Sequence, residues 1–160
     1  MKIYDCFMFF DEEMLLDLRL NIMDKYVDKF VITEATYMHN GKSKKLVFDI
    51  NKFSRFKDKI IYIVVDKQPE DLITVYDKDD LNVKETKKTL NAKKREIFQI
   101  NKTQEGLKNT NPEDIIIVSD VDEIPDLEQI NLRTINKKLI FFKQKISFME
   151  NRYFIFKIKV

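Results

Sequence analysis

The residues of this chain best suited to chemistry lie between Asp114 and Pro125, in the stretch DIIIVSDVDEIP. Asp120, Asp122 and Glu123 place three carboxylates directly after the apolar run Ile115 to Val118. That run is entirely β-branched, which suits a strand buried on both faces. Carboxylates at the carboxyl end of such a strand sit where open α/β sheets bind their ligands. On extended backbone, residues i and i+2 project to the same side. Asp120 and Asp122 can therefore converge on one small hard cation, Mg²⁺ or Mn²⁺, carrying a bound phosphate. The same residues also have a plainer use. Carboxylates after a strand serve as turn residues and helix caps, and Glu123-Ile124-Pro125-Asp126 suits the first turn of a helix.

Composition narrows the classes. A chain of 160 residues suits a single domain spanning 1–160 and can bury a real core. Charged residues make up 35% and hydrophobic residues 44%, with a net charge of only +2, and lysines are interspersed with acids throughout. No basic face or aromatic–basic module for nucleic acid follows from that pattern. With 2 Gly in all, there is no Gly-rich phosphate loop. The lone Cys6 excludes an internal disulfide, points to a reducing compartment and lies in an apolar run, as a small core residue would. The opening MKIYDCFMFFDEE is broken by Asp5 and too short to span a membrane. The expectation is a cytoplasmic protein without an integral membrane segment, peripheral to a membrane if it works on an anchored glycan precursor.

The elements that must position the carboxylates follow from periodicity. Lys2 to Phe10 is a first strand. Glu12 to Asp28 is a helix with Asp11 as N-cap and an apolar stripe of Met14, Leu15, Leu18, Ile22, Met23 and Tyr26. Lys29 to Thr36 is a second strand with Phe30, Ile32 and Glu34 on one face. Tyr37 to Lys45 is a polar loop turning at Asn40-Gly41. Asn51 to Lys59 is a short helix or an irregular segment, and Lys59 to Asp66 is a third, continuously apolar strand. An acidic loop, Gln68 to Asn82, leads to a helix from about Val83 to Leu107 with a sparse seam of Leu90, Ile97, Ile100 and Leu107. After the strand that ends at Asp120, Lys138 to Val160 holds two or three more strands. Alternating strands and helices argue for an α/β three-layer sandwich with a mostly parallel sheet.

Four segments in this order, KIYDCFMFFDEEMLLDLRL, VITEATYMHNGKSK, KIIYIVVD and IIIVSDVDEIP, together resemble the family-17 glycosyltransferases. That family is typified by a β-1,4-N-acetylglucosaminyltransferase that adds the bisecting residue to N-glycan cores. The resemblance covers nearly the whole chain. It implies a GT-A-like nucleotide-sugar-binding fold, UDP-N-acetylglucosamine (UDP-GlcNAc) as donor, a glycan or glycoconjugate acceptor, Mn²⁺ or Mg²⁺ as cofactor, and inversion at the anomeric carbon. Asp120 and Asp122 match the Asp-x-Asp motif. Asp122 is then the direct metal ligand, and Asp120 reaches the donor ribose or metal-bound water. Glu123 serves metal-bound water or caps the next turn.

Arg95, in an Arg-Glu-x-x-Gln segment ending at Gln99, is implied as a diphosphate contact, its alternative being an exposed helix arginine. Lys93-Lys94 stands where the family usually has an aromatic residue. Glu34, in the Glu-x-Thr-x-x-His segment ending at His39, either binds nucleotide or orients its loop. His39 is either a ligand or a surface residue, and Lys44 a phosphate contact. Family members continue further, so the chain is expected to be truncated at its C-terminus, where GT-A enzymes commonly carry the acceptor pocket and general base. Glu150 is the only acid after Glu128 and a possible approach to the acceptor. No catalytic base is assigned. Two other classes remain open from the residues: a different Mg²⁺-dependent phosphotransfer or phosphohydrolase enzyme, and a non-catalytic nucleotide-sugar-binding remnant.

Overall fold

Seven residues from Ile3 to Phe9, nearly all buried, form the middle of the protein. The computed structural model describes residues 1–135, 139–145 and 153–159. Strands β1 (Ile3–Phe9), β2 (Lys29–Ala35), β3 (Ile60–Val65) and β4 (Ile115–Val118) are mutually parallel. Strands β5 (Leu139–Lys145) and β6 (Tyr153–Lys159) form an antiparallel pair, and β6 also runs antiparallel to β4. The sheet order is β3-β2-β1-β4-β6-β5. The chain thus steps from β1 outward through β2 to β3, then returns to lay β4 on the other side of β1. The reversal leaves a crevice at the carboxyl ends of β1 and β4, the position where ligands enter open α/β sheets.

Helix α1 (Glu13–Met23) covers one face of the sheet. There Leu16, Leu20 and Met23 pack with Ile3, Phe7, Phe9, Phe30, Ile32, Ile115 and Ile117. Helix α2 (Leu81–Asn101), which tightens into a 3₁₀ helix over Lys102–Leu107, covers the other. Leu107 packs there with Tyr4, Cys6 and Val31. The three layers expected from the alternation are present.

Two helical faces differ from expectation. The inward face of α1 is Leu16, Arg19, Leu20 and Met23; of the expected stripe Met23 is buried and Leu15 and Tyr26 pack against the core, whereas Met14, Leu18 and Ile22 are exposed, Met14 to 82%. The spacing is helical in both readings, but the true inward face contains an arginine, which hides it from a search for apolar residues. The N-cap position falls on Glu12 rather than Asp11, and the Glu12 carboxylate accepts the amides of Phe10 (3.0 Å) and Asp11 (3.1 Å). On α2, Leu90 and Ile97 are exposed, and the buried positions are the polar Asn91 and Gln99. Each has a backbone partner. Asn91 bonds both peptide groups of Ile73 (2.7 and 2.8 Å), and Gln99 donates to the Thr33 carbonyl (3.1 Å). Strand β3 is an edge strand, and its Val64 is exposed. No helix opens at Glu123–Asp126; that stretch is irregular chain after a turn at Val121–Asp122.

At Gly106 the second layer lies tight against the sheet. A Cβ there would lie 2.7 Å from Val31 Cγ1 and 3.2 Å from Ile61 Cγ2. Gly106→Ala is therefore an overpacking change and is expected to lower stability by about 1–3 kcal/mol in denaturant titration. A wild-type midpoint would show that this layer yields freely.

Candidate active site

The loop that follows β4 is held from beneath by two charged residues. Asp5 of β1 and Arg19 of α1 are both fully buried and joined by a fork, Nε to Oδ2 at 2.9 Å and Nη2 to Oδ1 at 2.6 Å. The guanidinium also lies 4.5 Å over the Phe7 ring. Its other donors go to the loop. Nη2 donates to Ser119 Oγ (2.7 Å), and Nη1 to the carbonyls of Asp120 (2.6 Å), Val121 (3.3 Å) and Glu123 (3.1 Å). Ser119 Oγ donates onward to the Glu123 carbonyl (3.0 Å). Glu123 closes the turn, its carboxylate accepting the Asp120 amide (2.9 Å) and its amide donating to the Asp120 carbonyl (3.0 Å). Of the two uses expected for Glu123, the structure shows turn closure. Val121 is buried, whereas Asp120 and Asp122 stay exposed. The Asp5–Arg19 pair was missed from sequence. Its signals were an aspartate inside an apolar strand and an arginine in phase with Leu16, Leu20 and Met23.

Above this loop lies a cleft of about 380 Å³, a size suited to a small ligand. Asp120, Val121 and Asp122 form one wall and Met8, Phe9 and Phe10 another; Glu96 and Gln99 of α2, together with Glu12 and His39, complete it. Among the described residues, the carboxylates of Glu12, Glu96, Asp120 and Asp122 line the cleft, and no lysine or arginine does. Loss of hydration, then repulsion from Asp122 and Glu96, pushes the Asp120 carboxyl above the usual aspartate range. Burial likewise raises Glu123. Among the described residues no three His, Cys, Asp or Glu side chains converge into a ready-made metal cage.

The family model of glycosyltransferase family 17 matches residues 1–150. The chain belongs to glycosyltransferase family 17. No curated protein and no solved structure matches it significantly. The architecture is accordingly a GT-A-like sandwich, and the activity class is glycosyl transfer.

Within this glycosyltransferase domain the other expected site residues divide. His39 lines the cleft. Glu34 does not. Its carboxylate is fully buried, paired with Lys44, and accepts the amides of Val47 (2.8 Å) and Phe48 (3.1 Å) and the Tyr62 hydroxyl (2.7 Å). These bonds tie Glu34 to the Lys44–Phe48 loop, which is the second of its two expected roles. Lys44 is occupied by Glu34 and lies over the Phe10 ring.

Arg95 does not line the cleft either. It bonds Gln68 Oε1 (2.7 Å) and the His39 carbonyl (3.1 Å), with its guanidinium packed against Gly41. Gly41 has φ +87°, a backbone conformation that calls for glycine. In this structure Arg95 braces the turn that presents His39. It is only half-exposed and so is not the free surface arginine of the alternative. Glu150 lies outside the described residues.

The raised Asp120 carboxyl has a consequence for stability. Its folded value lies above the unfolded 3.8, so its stabilising contribution is complete below that pH and is lost as pH rises through the folded value. At neutral pH the ionised group therefore opposes folding. Asp120→Asn is expected to match or exceed wild type in denaturation midpoint at pH 7, the advantage disappearing toward about pH 3. A variant less stable than wild type at pH 7 would contradict this reading of the cleft.

Proposed function

We propose that this domain transfers N-acetylglucosamine from UDP-GlcNAc to a hydroxyl of a glycan or glycoconjugate, assisted by Mn²⁺ or Mg²⁺ at Asp120 and Asp122. The observation that carries the reading is that both aspartates, exposed and two residues apart in the sequence, line the wall of the cleft where the strand order reverses. A cleft lined by four carboxylates repels a diphosphate on its own. A divalent cation brought in with the donor reverses that sign. Two carboxylates, completed by diphosphate oxygens and water, suit Mg²⁺ or Mn²⁺, which need no all-protein cage. When bound, the cation neutralises charge growing on the leaving diphosphate.

The chain's own residues have separate tasks. Asp122 and Asp120 would hold the cation and the donor beside it, and the braced His39 turn faces the same space. The acceptor oxygen forms a bond to the anomeric carbon as the bond from that carbon to the phosphate oxygen breaks. UDP leaves, and the acceptor proton passes to a general base. The buried free thiol of Cys6 fits work in a reducing compartment such as the cytoplasm. Among the described residues no helix is long and apolar enough to cross a membrane.

Incubation with a panel of UDP-, GDP- and CMP-sugars tests the reading through release of the nucleotide. UDP release from UDP-GlcNAc, lost with chelator, is the expected result. Release from another sugar nucleotide would replace the donor. Phosphate release from simple phosphoesters would favour a phosphohydrolase instead.

A further inference from the structure

The Asp120–Glu123 loop is fastened by a group that lies outside the cleft. A guanidinium is a planar, rigid fork with five donors. Two of its bonds fix its plane to Asp5 on the central strand, so the remaining donors occupy set positions. They gather the Ser119 hydroxyl and the carbonyls of Asp120, Val121 and Glu123 onto one side. With these carbonyls drawn inward and Val121 buried, Asp120 and Asp122 are the loop's exposed carboxylates on the cleft wall. Asp5 balances the charge of Arg19, so the fork holds the loop without cancelling the field that the two aspartates present to a cation.

We infer that Arg19 is a positioning residue for the donor site: it sets the spacing of Asp120 and Asp122, and through them the affinity for a divalent cation with a nucleoside diphosphate, while bonding the loop's main chain and neither aspartate carboxylate. The inference rests on the proposed reading of that loop as the cation site. Lysine at this position keeps the charge against Asp5 but has no fork. Ser119→Ala removes one link of the fastening and leaves the buried ion pair whole.

Two measurements on Arg19→Lys and Ser119→Ala test it. The first is hydrogen exchange at the Asp120 and Glu123 amides, with Phe30 of β2 as reference. The second is the dissociation constant for UDP in the presence of Mn²⁺. Expected are faster exchange at both loop amides with Phe30 unchanged, and affinity lower by about 10–100-fold for Arg19→Lys and by a smaller factor for Ser119→Ala, as for groups that orient metal ligands. If Arg19→Lys also loses protection at Phe30, it has unfolded more widely and Ser119→Ala decides. Wild-type exchange and wild-type affinity in the folded variants would overturn the inference alone. Failure of the wild-type protein to bind Mn²⁺ and UDP would overturn the donor-site reading and this inference with it.

Discussion

Asp122→Ala is expected to abolish Mn²⁺-dependent binding of UDP and UDP-GlcNAc while leaving the fold intact. The side chain is exposed, and the bonds that close its loop run through Arg19, Ser119, Glu123 and the main chain. Its removal costs the fold nothing that those bonds supply, and stability should stay within about 0.5 kcal/mol of wild type. The cleft loses one of two carboxylates that bring a cation to a diphosphate. Turnover should fall by about 10²-fold or more, the size seen when one preorganised stabiliser of developing charge is deleted. Asp120→Asn differs, because it removes a carboxylate whose ionised form is disfavoured first by lost hydration and then by repulsion from Asp122 and Glu96. Asp122→Ala lifts only the Asp122 part of that repulsion, so its gain in stability is expected to be the smaller of the two. Calorimetry with UDP and Mn²⁺, beside denaturant titration, distinguishes them. An Asp122→Ala protein that binds like wild type would remove Asp122 from the site.

Asp5→Ala should be among the most damaging single changes in the chain. It leaves the Arg19 guanidinium fully buried over the Phe7 ring without its counter-charge. Breaking a buried pair by removing one partner typically costs about 3–5 kcal/mol, because the remaining charge is neither hydrated nor paired. The loop carbonyls held by Arg19 would then compete for a donor whose plane is no longer fixed to β1. Urea denaturation checks this directly, and a loss below about 1 kcal/mol would show that the loop carbonyls and Ser119 suffice to hold the cation. A swap of both residues for apolar ones of similar volume is a different experiment. It can restore stability and would still leave the loop unfastened.

The arrangement of strands was largely legible in the sequence. The β-branched runs Ile60–Val65 and Ile115–Val118 could be little else, and Asp120 and Asp122 could be placed at a strand end by counting alone. Side-chain partners were not legible. Glu34 and Arg95 resembled ligand contacts, and the structure gives their polar groups to Lys44, Tyr62, Gln68 and a backbone carbonyl. A carboxylate or guanidinium has the same identity whether it meets a phosphate or a loop amide, and only tertiary geometry separates the two. The inward face of α1 was misread for a related reason. Hydrophobic periodicity assumes that buried positions are apolar, and Arg19 breaks the assumption because Asp5 awaits it across the layer. On α2 the buried Asn91 and Gln99 break it in the same way, each exchanging water for a peptide group.

The central claim is that this family-17 domain carries a cation-dependent site for a nucleotide sugar. Calorimetric titration of UDP-GlcNAc, with and without Mn²⁺, tests it most directly. With only two cleft aspartates assigned to the cation, the account predicts weak binding of Mn²⁺ alone, weak binding of donor alone, and strong binding of the two together, lost in Asp122→Ala. Equal donor affinity with and without Mn²⁺, or none under either condition, would contradict it.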